Sequence, residues 1–454
     1  MTGKGQFEHA SLTDVGMRRS QNQDSHAVQL ATSAEQWQTH GHVFLVADGM
    51  GAHAVGELAS ELASTIIPLT YTKYATEGAV PAIEKAFQEA NSSIHNKGTQ
   101  NKDFKGMGTT SSLLVLRPEG AWVGHVGDSR VYRIRDGQVE QLSFDHSLLW
   151  ELARRQRVRP DQITGVPTNV IVRSLGPEGH VQVDVEGPHP VRKGDAYLLC
   201  SDGLSGQLSA KELGAIATYF SPEDACRLAV DLANLSGGPD NITVIIVRAN
   251  ESFGKETTKL DMAGSEVDGQ VETKRRKLLK AVPWPYAALG GGALLAAGAI
   301  SLRVSEIGGG EILFLLAAIC IVVGIVGLVT HLLQEQAEPE EKKRKPWKPR
   351  RRIYSHASCK LDQTLVDKIA HVHNALEARI REKDWGIDWD SYTRHQQAAE
   401  AHAARNELLE AFREHCQALT VLTEVFRIHR RKEEAFEPLW DKVEETAGGW
   451  ELAE

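Results

Sequence analysis

Apolar and polar positions fall into three regimes along this chain. In the first 250 residues, short apolar runs alternate with stripes at helical spacing. Phe44-Leu45-Val46-Ala47, Trp122-Val123-Gly124-His125-Val126, Tyr197-Leu198-Leu199-Cys200 and Ile242-Thr243-Val244-Ile245-Ile246-Val247 read as buried strands. Residues 54–67 and 80–95, the latter with Val80, Ile83, Phe87 and Ile94 in register, read as amphipathic helices. Strands are expected at 121–126, 130–135 and 139–142, with Asp136-Gly137 turning a hairpin, and a helix near 148–156. Strands this closely spaced, with helices before and after, argue for an α+β fold rather than a parallel βαβ sheet.

The second regime begins after Arg248. Residues 250–272 are polar and lack an apolar period, as a linker would. Residues 284–302 are uncharged and rich in Ala, Gly and Leu, and 312–333 are strongly apolar. Each run is long enough to cross a hydrocarbon core of about 30 Å as a helix. The expectation is a transmembrane hairpin over 283–334, set between a linker with a basic flank (250–282) and a basic segment (335–354). A buried soluble helical pair is the other reading. Lys274, Arg275, Arg276, Lys277 and Lys280 precede the hairpin; Lys342, Lys343, Arg344, Lys345, Lys348, Arg350, Arg351 and Arg352 follow it. The positive-inside rule then places both long ends in the cytoplasm, in a multi-pass inner-membrane protein whose basic flanks meet anionic lipid.

The third regime is helical. Leu361, Leu365, Ile369, Val372, Leu376 and Ile380 form one stripe, and Trp385-Gly386-Ile387-Asp388-Trp389 interrupts it. Leu409, Phe412, Cys416, Leu419, Leu422 and Phe426 form another. Residues 355–454 are expected as a cytoplasmic all-α domain, its stripes packing as a helical hairpin or pairing with a partner helix or a second copy. Its histidines, among them His373 and His415, show no metal-ligand pattern.

Composition narrows the function. A net charge of −9 over 454 residues argues against nucleic acid as a partner. Five scattered cysteines without a CxxC fit free thiols in a reducing compartment. The polar stretch Met1–Ser11 has no signal-peptide core.

The chemistry lies where the apolar runs stop. Asp48, Asp128 and Asp202 follow strands, and Asp240 precedes one. Asp-Gly is ordinarily just a turn. Four aspartates meeting on one rim of a sheet would repel one another, and divalent cations relieve that repulsion. An all-oxygen set suits Mg²⁺ or Mn²⁺, and the Gly49 carbonyl can add a further oxygen.

Eight blocks then occur in order: Thr13-Asp14-Val15-Gly16 through Arg19 to Asn22-Gln23-Asp24; Asp48-Gly49-Met50-Gly51-Ala52-His53; Met107-Gly108-Thr109-Thr110; Val126-Gly127-Asp128-Ser129-Arg130; Asp145-His146-Ser147; Arg173-Ser174-Leu175-Gly176; Ser201-Asp202-Gly203-Leu204; and Asp240-Asn241-Ile242-Thr243. Over 1–249 the chain therefore resembles the metal-dependent Ser/Thr protein phosphatases (PPM, or protein phosphatase 2C) of bacterial type. The resemblance implies an antiparallel β-sandwich flanked by helices on both faces, holding two or three Mn²⁺ or Mg²⁺ ions. It implies hydrolysis of phosphoserine and phosphothreonine in cytoplasmic proteins by a metal-activated water, opposing a Ser/Thr kinase.

Residue by residue, it makes Asp48 the bridging ligand, with the Gly49 carbonyl on one ion and Asp202 and Asp240 on the other. Asp128, with Asp202, matches a third-metal site. Arg19 would grip phosphate with its guanidinium fork. Asp24 carries over from the same block, whereas Gln23 stands where many relatives have Glu. His53 is either a general acid or a structural residue of its turn. Asn241 is expected to fix the turn carrying Asp240. The basic run Arg154-Arg155-Gln156-Arg157-Val158-Arg159 is a solvated helix face or an attractor of acidic phosphopeptides. The alternative is a membrane scaffold with an inactive phosphatase-like domain and a partner-binding tail.

Overall fold

The computed structural model describes residues 5–51, 54–254, 284–304, 310–337 and 354–429. The chain divides into two compact units, one made of 1–255 with 349–454 and the other of 256–348. In the first unit, β1 (Phe7–Asp14), β2 (Asp24–Gln29), α1 (Ala34–Thr39), β3 (His42–Met50), α2 (Ala54–Tyr74), α3 (Ala79–Gln100), β4 (Gly108–Thr109), β5 (Ser111–Arg117), β6 (Gly120–Val126), β7 (Arg130–Arg135), β8 (Gln138–Gln141), α4 (Leu148–Gln156), β9 (Asp184–His189), β10 (Ala196–Cys200), α5 (Asp202–Ser205), α6 (Ala210–Tyr219), α7 (Pro222–Leu235) and β11 (Ile242–Ala249) follow in order.

The strands make two antiparallel sheets. One has the order β2-β3-β5-β6-β9, with β4 paired to β3; the other begins β1-β11-β10-β7-β8. Alternate residues of each central strand serve different cores. Val43, Leu45 and Ala47 of β3 pack with the apolar side of α2 and α3, while Phe44 and Val46 fill the space between the sheets. In β11, Ile242, Val244 and Ile246 face α6 and α7, and Ile245 and Val247 face the opposite sheet. Covering both faces of a sheet is what makes its strands read as unbroken apolar runs. Asp136 and Gly137 take φ of 53° and 72° between β7 and β8, as a two-residue hairpin loop of the primed type requires. The α+β sandwich with helices on both outer faces is thus the observed architecture.

The second unit contains α8 (Trp284–Val304) and α9 (Gly310–Ala337), which pack against each other. The transmembrane expectation is corrected here. Among the described residues, no helix is long and apolar enough to cross a membrane. The hairpin over 283–334 and the multi-pass inner-membrane placement fall with it. Lys274 to Lys280 and Lys342 to Arg352 lie outside the described residues.

Beyond residue 353 the chain returns to the first unit. β12 (Ser355–Ser358) pairs antiparallel with β8, extending that sheet to six strands. Then come α10 (Gln363–Glu382), α11 (Trp389–Ala404) and α12 (Leu408–His429), the Trp385–Trp389 interruption marking the turn from α10 to α11. The two apolar stripes are buried within this chain: Leu365, Ile369, Leu376, Phe412, Leu419 and Phe426 share one core with Leu213, Ile216 and Leu228 of α6 and α7. Phe412 lies 5.7 Å from the Phe220 ring and 6.2 Å from that of Tyr219. Polar latches flank this seam: Lys368 pairs with Glu212 at 2.6 Å, and Thr423 donates to Asp231 at 2.8 Å.

A directional relay threads the three helices. The Tyr392 hydroxyl donates to Glu377 at 2.7 Å, so its oxygen accepts from His373 Nδ1 at 3.3 Å; His373 Nε2 is then left to accept from His415 Nδ1 at 2.8 Å. Burial, and then the neighbouring His415, hold His373 down to about 4.

Candidate functional site

Five aspartates reach one end of the sandwich, each because its strand starts or stops there. Asp24 opens β2 and Asp48 lies near the end of β3, and the two are direct register partners. The Asp48 backbone is locked: its amide donates to Thr110 Oγ1 at 3.0 Å, and its carbonyl accepts from the Thr110 amide and the Thr109 hydroxyl, both at 2.8 Å. In the other sheet, Arg130 of β7 pairs with Cys200 of β10, so Asp128 and Asp202 stand two residues from that pair at the same end. Asp240 precedes β11. A Cβ on Gly49 would come within 2.0 Å of the Gly56 carbonyl oxygen, so only glycine lets α2 begin this close to the Asp48 turn.

Burial and crowding dominate the electrostatics. Burial pushes Asp48 well above the usual carboxylate range, and Asp24, Asp202, Asp128 and Asp240 push it further. Asp24 rises to about 7 through burial, restrained by the Ser201 and Thr243 hydroxyls. Asp128 rises to about 8, from burial and then the charges of Asp202 and Asp145. Asp202 rises for the same first reason, with Asp240 adding to it and a hydrogen bond to Asp48 opposing it. The Ser201 hydroxyl donates to Asp24 at 2.7 Å and accepts from the Thr243 amide at 3.0 Å, tying β2 to the strand ends of the other sheet.

The loop before β2 supplies the one arginine of the expected set. Arg19 is half-exposed and donates to Asp240 at 2.8 Å. Asn241 does more than fix its own turn: its Nδ2 donates to the Val15 and Gln21 carbonyls at 3.0 and 2.9 Å, and its Oδ1 accepts from the Gln23 amide at 2.8 Å. It therefore stitches the Arg19 loop to the Asp240 turn. His53 lies outside the described residues.

Among the described residues, no three His, Cys, Asp or Glu side chains are already gathered as a metal-ligand group. The donor chemistry nevertheless fits hard cations. Asp128 Oδ1 and Asp202 Oδ1 are buried without a hydrogen-bond partner, and every nearby acid is a carboxylate. Orphaned buried oxygens are costly unless something positive meets them.

Sequence reasoning passed over the residues beneath this cluster. Arg130 is gripped by Asp145, through Nε at 2.9 Å and a second nitrogen at 2.8 Å, and its charge draws down Asp128 and Asp202. His146 accepts from the Gly127 amide at 3.0 Å through Nδ1 and pairs with Asp184 at 3.1 Å through Nε2, fixing the turn before Asp128. Two signals were present: Arg130 sits two residues after a site aspartate, and Asp145-His146 is one of the ordered blocks.

The protein phosphatase 2C family model matches residues 17–235. Protein phosphatase PhpP of Streptococcus pneumoniae is 37% identical over 252 residues, covering 54% of this chain and 98% of the relative. Serine/threonine phosphatase stp of Listeria welshimeri is 33% identical over 249 residues, covering 53% and 96%. Among solved structures, the Mycobacterium tuberculosis serine/threonine phosphatase PstP/Ppp is similar at 30% identity, covering 54% of this chain and 99% of that one, with a TM-score of 0.48.

Proposed function

The chain belongs to the protein phosphatase 2C family and is a protein-serine/threonine phosphatase; from that premise we propose how its own residues perform the hydrolysis. The observation that carries the reading is the convergence of Asp24, Asp48, Asp128, Asp202 and Asp240 at one end of the sandwich. Asp48, the Gly49 carbonyl, Asp202, Asp240 and Asp128 would hold divalent cations, Mn²⁺ or Mg²⁺, two or three in number. Such ions supply a nucleophile near neutral pH and neutralise the phosphate dianion, whose uncatalysed hydrolysis is among the slowest reactions known.

Arg19 orients the phosphoryl group. It is half-exposed and needs only to share its fork between Asp240 and phosphate oxygens. Asp24, held by the Ser201 hydroxyl and in register with Asp48, borders the cluster on the β2 side. The substrates are phosphoserine and phosphothreonine proteins, with a Ser/Thr kinase as the opposing activity. An inactive scaffold would have no use for this acid cluster, and nothing in the site favours it.

The test uses the full chain with Mn²⁺, p-nitrophenyl phosphate and a phosphothreonine peptide. Activity that EDTA abolishes is expected, and Asp202→Asn should lower kcat by at least about 10²-fold. An inactive wild-type chain that is folded and Mn²⁺-loaded would refute the proposal.

A further inference from the structure

The strand that closes the first sheet also reaches the acid cluster. Gln141, at the end of β8, is buried and pairs with Ser355 of β12 on one side and Tyr132 of β7 on the other. Its two amide ends are used differently. Oε1 accepts from the Ser355 hydroxyl at 3.3 Å, while Nε2 donates to the Ser143 carbonyl at 2.9 Å and to Asp145 Oδ1 at 2.7 Å. A glutamine amide can turn over, and a hydroxyl donor on its oxygen selects the orientation that presents NH₂ to Asp145. The other oxygen of Asp145 holds Arg130, which also donates to the Tyr132 hydroxyl at 3.0 Å. Tyr354 adds a second tie: its hydroxyl donates to Glu186 at 2.8 Å, and its ring lies 5.5 Å from Phe144, which packs on Trp150 of α4.

We propose that Tyr354–Ser358 is a positioning element of the phosphatase site: through Ser355 and Gln141 it holds Asp145 against Arg130, keeping the guanidinium off Asp128 and Asp202. This rests on the catalytic reading above. The physical logic is competition. Asp128 Oδ1 and Asp202 Oδ1 have no hydrogen-bond partner, so an arginine released from Asp145 would settle on them and exclude cations. The C-terminal segment is in this way part of the catalytic apparatus, although Ser355 lies 214 residues from Gln141 in sequence.

The experiment compares the full chain with Ser355→Ala, Ser355→Thr and Gln141→Glu. On metal-free protein, Ser355→Ala should exchange amide hydrogens over 126–132 about fivefold faster than wild type, the factor equivalent to one neutral hydrogen bond. Calorimetry should show Mn²⁺ binding weakened by a similar factor, and kcat should fall at unchanged KM. Ser355→Thr restores all three. Gln141→Glu, which sets a second carboxylate against Asp145, moves them further in the same direction. Unchanged exchange and Mn²⁺ affinity in both Ser355→Ala and Gln141→Glu overturn the proposal, as does a variant that only melts lower. An inactive wild-type chain refutes the catalytic reading, and the metal-free exchange comparison still decides this one.

Discussion

Removing the Phe412 ring tests whether the C-terminal helices belong to the same folding unit as the phosphatase sheets. The side chain is fully buried, with Phe220 and Tyr219 of the catalytic portion as its ring neighbours. Burying a phenylalanine removes roughly 150–250 Å² from water, which at about 25 cal/mol per Å² amounts to about 4–6 kcal/mol. Measured Phe→Ala losses in cores run about 3–5 kcal/mol, so about 4 kcal/mol is expected for Phe412→Ala. At about 2–4 °C per kcal/mol, Tm should fall by roughly 10 °C in differential scanning calorimetry. The decisive feature is the shape of the transition: one cooperative step, shifted as a whole. Arg413→Ala, at an exposed position on the same helix, should stay within about 0.5 kcal/mol of wild type. A separate early transition for 354–429, with the sheets still melting at their original temperature, would refute the shared core.

Arg19→Lys replaces a fork with a point charge, so KM for a phosphothreonine peptide should rise by about tenfold; an unchanged KM would remove Arg19 from phosphate binding. Acid should loosen the C-terminal helices. His373 is held neutral down to about 4 when folded and has an ordinary value near 6.5 when unfolded, so the unfolded state binds more protons between those values. Stability is therefore lost as pH falls from about 6.5 to 4, by up to about 3 kcal/mol at about 1.4 kcal/mol per pH unit. The groups facing His373 are His415, the Tyr392 hydroxyl and Glu377. His373→Phe should flatten this part of the pH–Tm curve, and an identical slope in the variant would refute the assignment.

The catalytic fold was legible because its strands are covered on both sides. A run such as Ile242–Val247 has few alternatives to being a buried strand, and an aspartate abutting such a run stands out as a physical anomaly. The tail was only half legible. Its stripes announced helices, but a stripe does not name the surface it meets, and the answer lay with Ile216 and Leu228, far back in the chain. Ser355-His356-Ala357-Ser358 carries no strand signal at all. Its conformation comes from pairing with β8, a case of tertiary context deciding what local preference leaves open. Arg130 and Asp145 stood in the ordered blocks without a role, and Gln141 stood in none, for a related reason: their joint use shows only when the hairpin and β12 bring them into one file. The apolar runs near 284–302 and 312–333 did form helices, but among the described residues none is long and apolar enough to cross a membrane.

The late arrival of β12 has a consequence for biogenesis. A ribosome adding roughly 5–20 residues per second needs about 10–40 s to travel from Gln141 to Ser355, and longer to reach Phe426. Through that interval the nascent protein carries a bare β8 border and, once Leu235 has been added, uncovered apolar flanks on α6 and α7, the kind of surface that chaperone holdases cover. Its yield in the cell should therefore depend on translation speed and chaperone supply more than that of a phosphatase ending at β11.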